Sequence, residues 1–389
     1  MKILCFIDSL GSGGAQRRFG NLGVLFQKAG HEVSFLTYSE GDFFRKPLSE
    51  AGIPITRITA RSKLLRLVKI LRFLRSFDGD LVISVTETPN FLACLAKGRK
   101  QRWRLITTES SAKAATFRSL KRKAANALER RSDIKVCNSE NGRRMWAAYY
   151  PGYAKKLRVI YNPQCVPEAL TRGKTGTGPV RRLVVAASYQ RLKNIDGLIE
   201  AVHRLPGVIR DRLRIDWYGR KEATKGDERI YREAAEKLSR YGIEQNIQLH
   251  SETTDIYRKM AAADAVGLFS TVEGLPNAVC EGMALGKPII MSRVSDYEML
   301  VKGNGILCDP DEPASIAEAI SKFVEASDQE LCEMGERSRQ LASCLFDPAE
   351  IRNQWIKIMK ATKWGERDEP DCRADQIVFY GKRGRFGGG

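Results

Sequence analysis

Histidine is scarce in this 389-residue chain: there are three, at positions 31, 203 and 250. The nine cysteines (5, 94, 137, 165, 280, 308, 332, 344 and 372) lie far apart, with no C-x-x-C pair. These two features exclude a structural zinc site and a disulfide framework, and fit a reducing cytosol. Apolar runs extend only a handful of residues, too short for a bilayer-spanning helix, and no apolar stretch with a small-residue cleavage site follows Met1. The expectation is therefore a cytoplasmic protein without a signal peptide. No motif recurs at a short fixed period, which excludes a solenoid. The chain is 43% apolar and 29% charged, ordinary for a folded globular protein and enough for two domains.

The charge distribution is uneven. Residues 1–170 hold 31 Lys and Arg against 13 Asp and Glu, whereas residues 171–389 hold 34 against 33. Almost all of the net charge of +19 thus falls in the first half, which predicts an anionic partner there: nucleic acid, an anionic membrane or a phosphorylated substrate.

Strand, glycine turn and helix alternate along the chain. KILCFID (residues 2–8) reads as a buried strand, GSGGAQ as a turn, and the next stretch as a helix ending on Gly30. HEVSFLTY, RITA, LVISV, LITT, IKVCNS and LRVIYNP continue the first set of strands. After PEALTRGKTGTGPV, a linker by composition, the pattern restarts with RRLVVAAS, LRIDWYG, NIQLH, AVGLFS and KPIIMS. Alternation of this kind predicts two doubly wound parallel α/β domains, over residues 1–165 and 180–348, with the ligand site in the cleft between them. A last helix is predicted over 349–362 and a poorly ordered tail over 363–389.

Two constellations carry chemistry. Gly11-Ser12-Gly13-Gly14 sits between the first strand and helix, where backbone N–H groups and the helix N-terminus favour a phosphate. The dinucleotide fingerprint would need a third glycine or alanine where Gln16 stands, and no G-K-[ST] follows to make a P-loop. The second constellation, EGLPNAVCEGMALGKP over residues 273–288, lies between two predicted buried strands. Asn277 is expected to cap a helix over 278–285 that Gly286 ends. Glu273 then falls in a loop at the carboxyl end of a strand and Glu281 in the first helical turn, both directed at the cleft. Two carboxylates so placed are suited to anchoring the hydroxyls of a sugar and of a ribose.

With GSGGAQR, the VIYNP strand end, AASYQRLKNIDGLIEAV (residues 186–202) and two glutamates eight residues apart before MALGKP, the chain resembles the retaining glycosyltransferases of family 4 over roughly residues 1–360. The resemblance implies the GT-B fold of two Rossmann-like domains facing across a cleft. It also implies a nucleotide-sugar donor held mainly by the C-terminal domain, an acceptor bound mainly by the N-terminal domain, a last helix crossing back to the first domain, and no metal or other cofactor. By the same resemblance Glu273 contacts the donor sugar and Glu281 the ribose. The backbone of Gly274, Leu275, Pro276 and Asn277 approaches the sugar and diphosphate, Gly13 and Gly14 meet the diphosphate from the other domain, and Lys193 neutralises the leaving group. The family's arginine five residues before that lysine is here Ser188, and Arg191 is the arginine close by that is set beside the donor phosphates. Where many members carry a histidine after the strand LITT, this chain has Thr108-Glu109-Ser110, and Glu109 is expected to orient the acceptor hydroxyl, as in the S-E-R variant of some bacterial polysaccharide transferases. The three histidines read as structural, with His250 nearest the nucleotide base. The expected chemistry is front-face attack with retention, the departing phosphate taking the acceptor's proton.

Residues 63–75, KLLRLVKILRFLR, place Leu64, Leu67, Val68, Ile70, Leu71 and Leu74 on one helical face and Arg66, Lys69 and Arg72 opposite, with Leu65 and Phe73 among the charges. Residues 118–131 add a second basic stretch. The pattern fits either a surface helix packed on the sheet or one lying in a membrane interface, the latter with a glycan or lipid-linked acceptor at the cytoplasmic face of an inner membrane. UDP carrying a hexose or N-acetylhexosamine is the expected donor. Two other classes compete: a GT-B sugar-nucleotide epimerase, and a basic nucleic-acid-binding protein. The latter leaves residues 273–288 without a role and lacks the aromatic-interleaved basic signature.

Overall fold

The computed structural model describes residues 1–11, 13–110, 120–171, 178–224 and 226–361. The predicted tail, much of the linker and the start of the second basic stretch lie outside the described residues. Two parallel sheets form the frame. The first contains β1 (Lys2–Phe6), β2 (Glu32–Thr37), β3 (Ile55–Arg57), β4 (Leu81–Val85), β5 (Arg104–Glu109), β6 (Ile134–Cys137) and β7 (Leu157–Val159), in the spatial order β3-β2-β1-β4-β5-β6-β7. The second contains β8 (Arg181–Ala186), β9 (Leu213–Tyr218), β10 (Ile247–His250), β11 (Ala265–Leu268), β12 (Ile289–Ser292) and β13 (Gly305–Cys308), in the order β10-β9-β8-β11-β12-β13.

Strands such as Leu81–Val85 are apolar but for Ser84 because helices cover both faces of each sheet, and every residue of that strand is buried. Helix α1 (Gly14–Lys28) follows β1 and lays Phe19, Leu22 and Phe26 into the core, the i, i+3, i+7 spacing of one helical face. Gly30, just past its end, takes φ +83°, which relaxes the chain into β2. The strand β13 was not among those expected. Its glycine is obligatory, since a Cβ at Gly305 would lie 2.0 Å from the Ile289 carbonyl oxygen of β12.

In each sheet strand order reverses between the first strand and its neighbour: between β1 and β4, and between β8 and β11. Loops leaving the carboxyl ends of strands at such a reversal splay apart and leave a crevice. Those loops here are residues 7–13 after β1, 187–194 after β8 and 269–276 after β11, and they carry the glycine loop, Lys193 and Glu273 respectively.

Two further connections join the sheets. Helix Pro348–Lys360, begun by a proline and capped by Asp347, returns to the first sheet. Its Trp355 meets Phe26 of α1 edge-on at 5.9 Å between centroids, and Arg104 of β5 donates to the Met359 carbonyl at 2.6 Å. The Asp296 carboxylate accepts from the backbone N–H of Glu140 and Asn141, both at 2.7 Å, at the start of helix Glu140–Tyr149, and from the Tyr161 hydroxyl at 3.0 Å. Among the described residues no helix is long and apolar enough to cross a membrane.

Candidate active site

Lys193 ends a 3-10 turn (Arg191–Lys193), and Asn194 then takes φ +59°. From that left-handed position the Asn194 side chain accepts from Gly197 N at 3.2 Å, capping helix Ile195–Arg204, and donates to the Pro310 carbonyl at 2.8 Å. The lysine is thus held immediately before a locked turn. Its ammonium pairs with the Glu273 carboxylate, which also accepts from the Ser270 hydroxyl at 2.7 Å. A backbone bond from Thr271 N to Leu192 O at 2.9 Å ties the two loops together. The sequence's first pair of candidates therefore meets, eighty positions apart in the chain.

The segment 274–277 leads into helix Asn277–Ala284. The Gly274 carbonyl accepts from the Ser295 hydroxyl, and Leu275 is buried. Pro276, not Asn277, occupies the cap position, and no side chain caps the helix. Asn277 is instead the first helical residue and spends its side chain across the cleft, where its Oδ1 accepts from Asn162 Nδ2 at 2.6 Å. Asn162 in turn accepts from Arg18 of α1 at 3.1 Å, and Arg18 also donates to the Ser110 hydroxyl at 2.7 Å. Burial lowers the Arg18 pKa to about 10, with Glu109 opposing the shift. Gly14 faces Asn277 so closely that a Cβ there would lie 2.9 Å from Asn277 Nδ2. Helix α1, entered through Gly13, likewise has no side-chain cap. Two helix N-termini with backbone N–H groups unclaimed by side chains thus come together, a concentration of positive potential suited to a diphosphate.

Glu281 lies in the second turn of its helix rather than the first, because the helix begins at Asn277; complementing the helix dipole does not account for it. It is 5% exposed, and its Oε1 accepts from Arg17 of α1 at 2.7 Å, again across the cleft. Burial raises the Glu281 carboxyl above its ordinary value, with Arg17 pulling the other way. For Arg17, burial works against the charge, but attraction to Glu281 and Tyr257 prevails and raises its pKa. The guanidinium carbon stands 5.8 Å from the centroid of Phe44 and 5.7 Å from that of Tyr257.

Two expected residues are not brought into this group. Arg191 is 81% exposed at its side chain and pairs with Glu233 at 3.8 Å, because its turn directs it outward while Lys193 points in. Glu109 is buried in its own domain, where its carboxylate accepts from the Trp146 indole at 3.0 Å and from Ser110 N at 2.9 Å. Arg18, whose charge Glu109 favours, reaches Asn162 and Ser110 beside it. His250 bonds Asp216 at 2.7 Å and stacks on Tyr218, centroids 4.4 Å apart, while His203 stacks on Tyr241 at 3.9 Å. Among the described residues no group of three or more His, Cys, Asp or Glu side chains gathers as metal ligands do.

Arg17, Arg18, Asn162 and Tyr257 are the residues that sequence patterns did not single out. Arg17 and Arg18 lie one turn beyond the glycine loop, and Asn162 closes the VIYNP strand end; both positions were legible as places, not as partners.

Residues 12–163 match the family described as Glycosyltransferase Family 4, and residues 180–326 match Glycosyl transferases group 1. Over 214 residues the chain is 25% identical to the lipopolysaccharide core biosynthesis glycosyltransferase LpsE of Rhizobium meliloti (strain 1021), an overlap of 54% of this chain and 59% of that protein. In three dimensions it resembles HepE (Alr3699) of Anabaena, solved in complex with UDP-glucose, at TM-score 0.80 and 21% identity over 92% of this chain and 99% of the other. Sucrose-phosphate synthase of Thermosynechococcus elongatus superposes at TM-score 0.74 and 15% identity, over 92% and 98%. The match of both halves, with two doubly wound sheets facing across Glu273 and Glu281, makes the chain a member of glycosyltransferase family 4 with the GT-B fold.

Proposed function

We propose that the chain is a retaining glycosyltransferase that moves a sugar from a nucleoside diphosphate, UDP first among the candidates, to a glycan or lipid-linked acceptor in cell-surface polysaccharide assembly. The observation that carries this reading is the pair of cross-linked carboxylates, Lys193–Glu273 and Arg17–Glu281, beside two facing helix N-termini. The lipopolysaccharide core role of LpsE and the UDP-glucose complex of HepE support the same reading.

In the reaction the bond between the anomeric carbon and the diphosphate oxygen breaks, and its electron pair stays on the phosphate. Negative charge grows there while the sugar becomes oxocarbenium-like. The Lys193 ammonium and the amides at Gly13–Gly14 and at the start of helix Asn277–Ala284 stabilise that charge because they are already oriented before the reaction. Gly274, Leu275 and Pro276 bring the backbone against the sugar and diphosphate. Glu273, anchored by Lys193 and Ser270, accepts from a donor sugar hydroxyl, and Glu281 accepts from the ribose. The acceptor oxygen attacks from the face the phosphate leaves, and the departing phosphate takes its proton, which gives retention. This ammonium and these amides do the work of a divalent ion, so activity is expected to survive EDTA.

Replacement of Glu273 by Gln is expected to leave folding intact and to lower turnover by about 10²-fold, since a charged contact to the reacting sugar is lost. Near wild-type turnover in Glu273→Gln would remove Glu273 from this role. Turnover without an acceptor, releasing nucleotide and free sugar, would favour the epimerase reading instead.

A membrane-linked acceptor is favoured by one specific observation. Helix Lys63–Ser76 buries only Ile70 and Leu74, while Leu64, Leu65 and Val68 are 71%, 46% and 45% exposed beside Arg66, Lys69 and Arg72. Leucines standing in water next to basic side chains match a lipid interface.

A further inference from the structure

Glu281 has one carboxylate and two claimants. Its Oε1 is taken by Arg17, and the side chain is 7% exposed. A ribose bound through its hydroxyls needs the same oxygens as acceptors. Arg17 holds only Oε1, so a ribose whose two hydroxyls take both oxygens displaces it. Left unpaired, a cation facing this buried cleft would carry a desolvation penalty. The diphosphate removes that difficulty. Gly13 and Gly14, where the phosphates are expected, lie one helical turn before Arg17 on α1. The guanidinium carbon lies 5.8 Å from the Phe44 ring centroid and 5.7 Å from that of Tyr257, which also hydrogen-bonds it, so the cation keeps partners near the cleft when Glu281 lets go. On the opposite domain Lys193 serves the same diphosphate, whereas Arg191 is turned outward to Glu233. A leaving diphosphate carries more than one negative charge, and Arg17 is placed to meet it from the first domain.

Resting on the nucleotide-sugar reading of the cleft, we propose that Arg17 is a switching residue: it holds Glu281 while the cleft is empty and transfers to the donor's diphosphate when the ribose takes the carboxylate. The exchange ties donor entry to a contact between the two domains, because Arg17 belongs to one and Glu281 to the other. It also makes the site discriminate: a nucleoside must break the Arg17–Glu281 pair without recompense, whereas a nucleoside diphosphate supplies the guanidinium with a new anion.

The test compares two ligands on the full chain. UDP, GDP, ADP and CDP, with their nucleosides, are titrated by calorimetry and ligand-observed NMR into the wild type, Arg17→Met and Arg17→Lys. For the base that the wild type binds, and at alkaline pH so that Glu281 stays ionised without its partner, Arg17→Met is expected to weaken the diphosphate by about tenfold, the loss of a charge-assisted bond, and to strengthen the nucleoside several-fold. Arg17→Lys is expected to show smaller changes of the same opposed signs, and it is read alone if Arg17→Met does not fold. A structural role for Arg17 predicts shifts in one direction for both ligands; parallel shifts, or none, overturn the switch. If no nucleoside diphosphate binds the wild type, the nucleotide reading itself fails and the switch fails with it.

Discussion

At the scale of single residues, the site depends on a carboxylate that burial makes costly to charge. Burial holds the Glu281 carboxyl above the ordinary 4.5. As pH falls from neutral it takes up its proton before exposed carboxylates do, and a protonated Glu281 is a poorer acceptor for ribose hydroxyls and no partner for Arg17. Nucleotide binding is therefore expected to weaken on acidification in the wild type. Glu281→Gln is expected to bind weakly at neutral pH and to lack this acid limb. The comparison of the two proteins cancels the ligand's own titration, and identical pH profiles would contradict the assignment. The two glutamates were legible in the sequence because their spacing, flanking glycines and following MALGKP are local features. Arg17 was not legible as the partner of Glu281, because 264 positions separate them and no local pattern encodes such a contact. Asn277 shows the limit of cap preferences: its side chain was expected to bond its own helix and instead found Asn162 in the other domain. Glu109 shows the same limit, since its chain position says nothing of the Trp146 indole that engages it.

At the scale of elements, periodicity located helices well and their surroundings less well. The helix predicted over 63–75 runs Lys63–Ser76 and starts at Ser62, whose hydroxyl accepts from Leu65 N at 3.1 Å. The wheel put six apolar residues on one face. In the structure Ile70 and Leu74 reach the core, Leu67 and Leu71 are half-buried, and Leu64 and Val68 remain outside. Whether an apolar stripe is covered depends on what packs beside it, which the stripe does not contain. Each basic residue near an anionic leaflet contributes on the order of 1 kcal/mol at modest salt, and that part is screened as salt rises. Changing Arg66, Lys69 and Arg72 to Glu is expected to reduce co-sedimentation with anionic liposomes and to leave nucleotide binding unchanged. A triple variant that sediments like the parent would leave the exposed leucines without a lipid role and direct the basic half to a phosphorylated acceptor. Strand β13 was missed for a similar reason: GILC is too short to announce itself, and its glycine is demanded by the neighbouring strand.

At the scale of the whole molecule, the tandem architecture was the most legible feature, because each half repeats strand and helix in the same order and buried parallel strands read as apolar runs. The facing of the halves was not legible. It is set by contacts between distant segments: Asp296 at the start of helix Glu140–Tyr149, Trp355 against Phe26, and the chain of bonds from Ser110 through Arg18 and Asn162 to Asn277. Those contacts bring the two switch points opposite each other and turn separate glycine loops and carboxylates into one cleft. The central claim is that this cleft holds a nucleoside diphosphate through Glu281. The direct measurement is a calorimetric titration of UDP, GDP, ADP and CDP into the wild type and into Glu281→Ala. Saturable binding of at least one nucleotide to the wild type, weakened about tenfold or more in the variant, is the predicted result; no binding by any of the four, or equal affinity in both proteins, would contradict it.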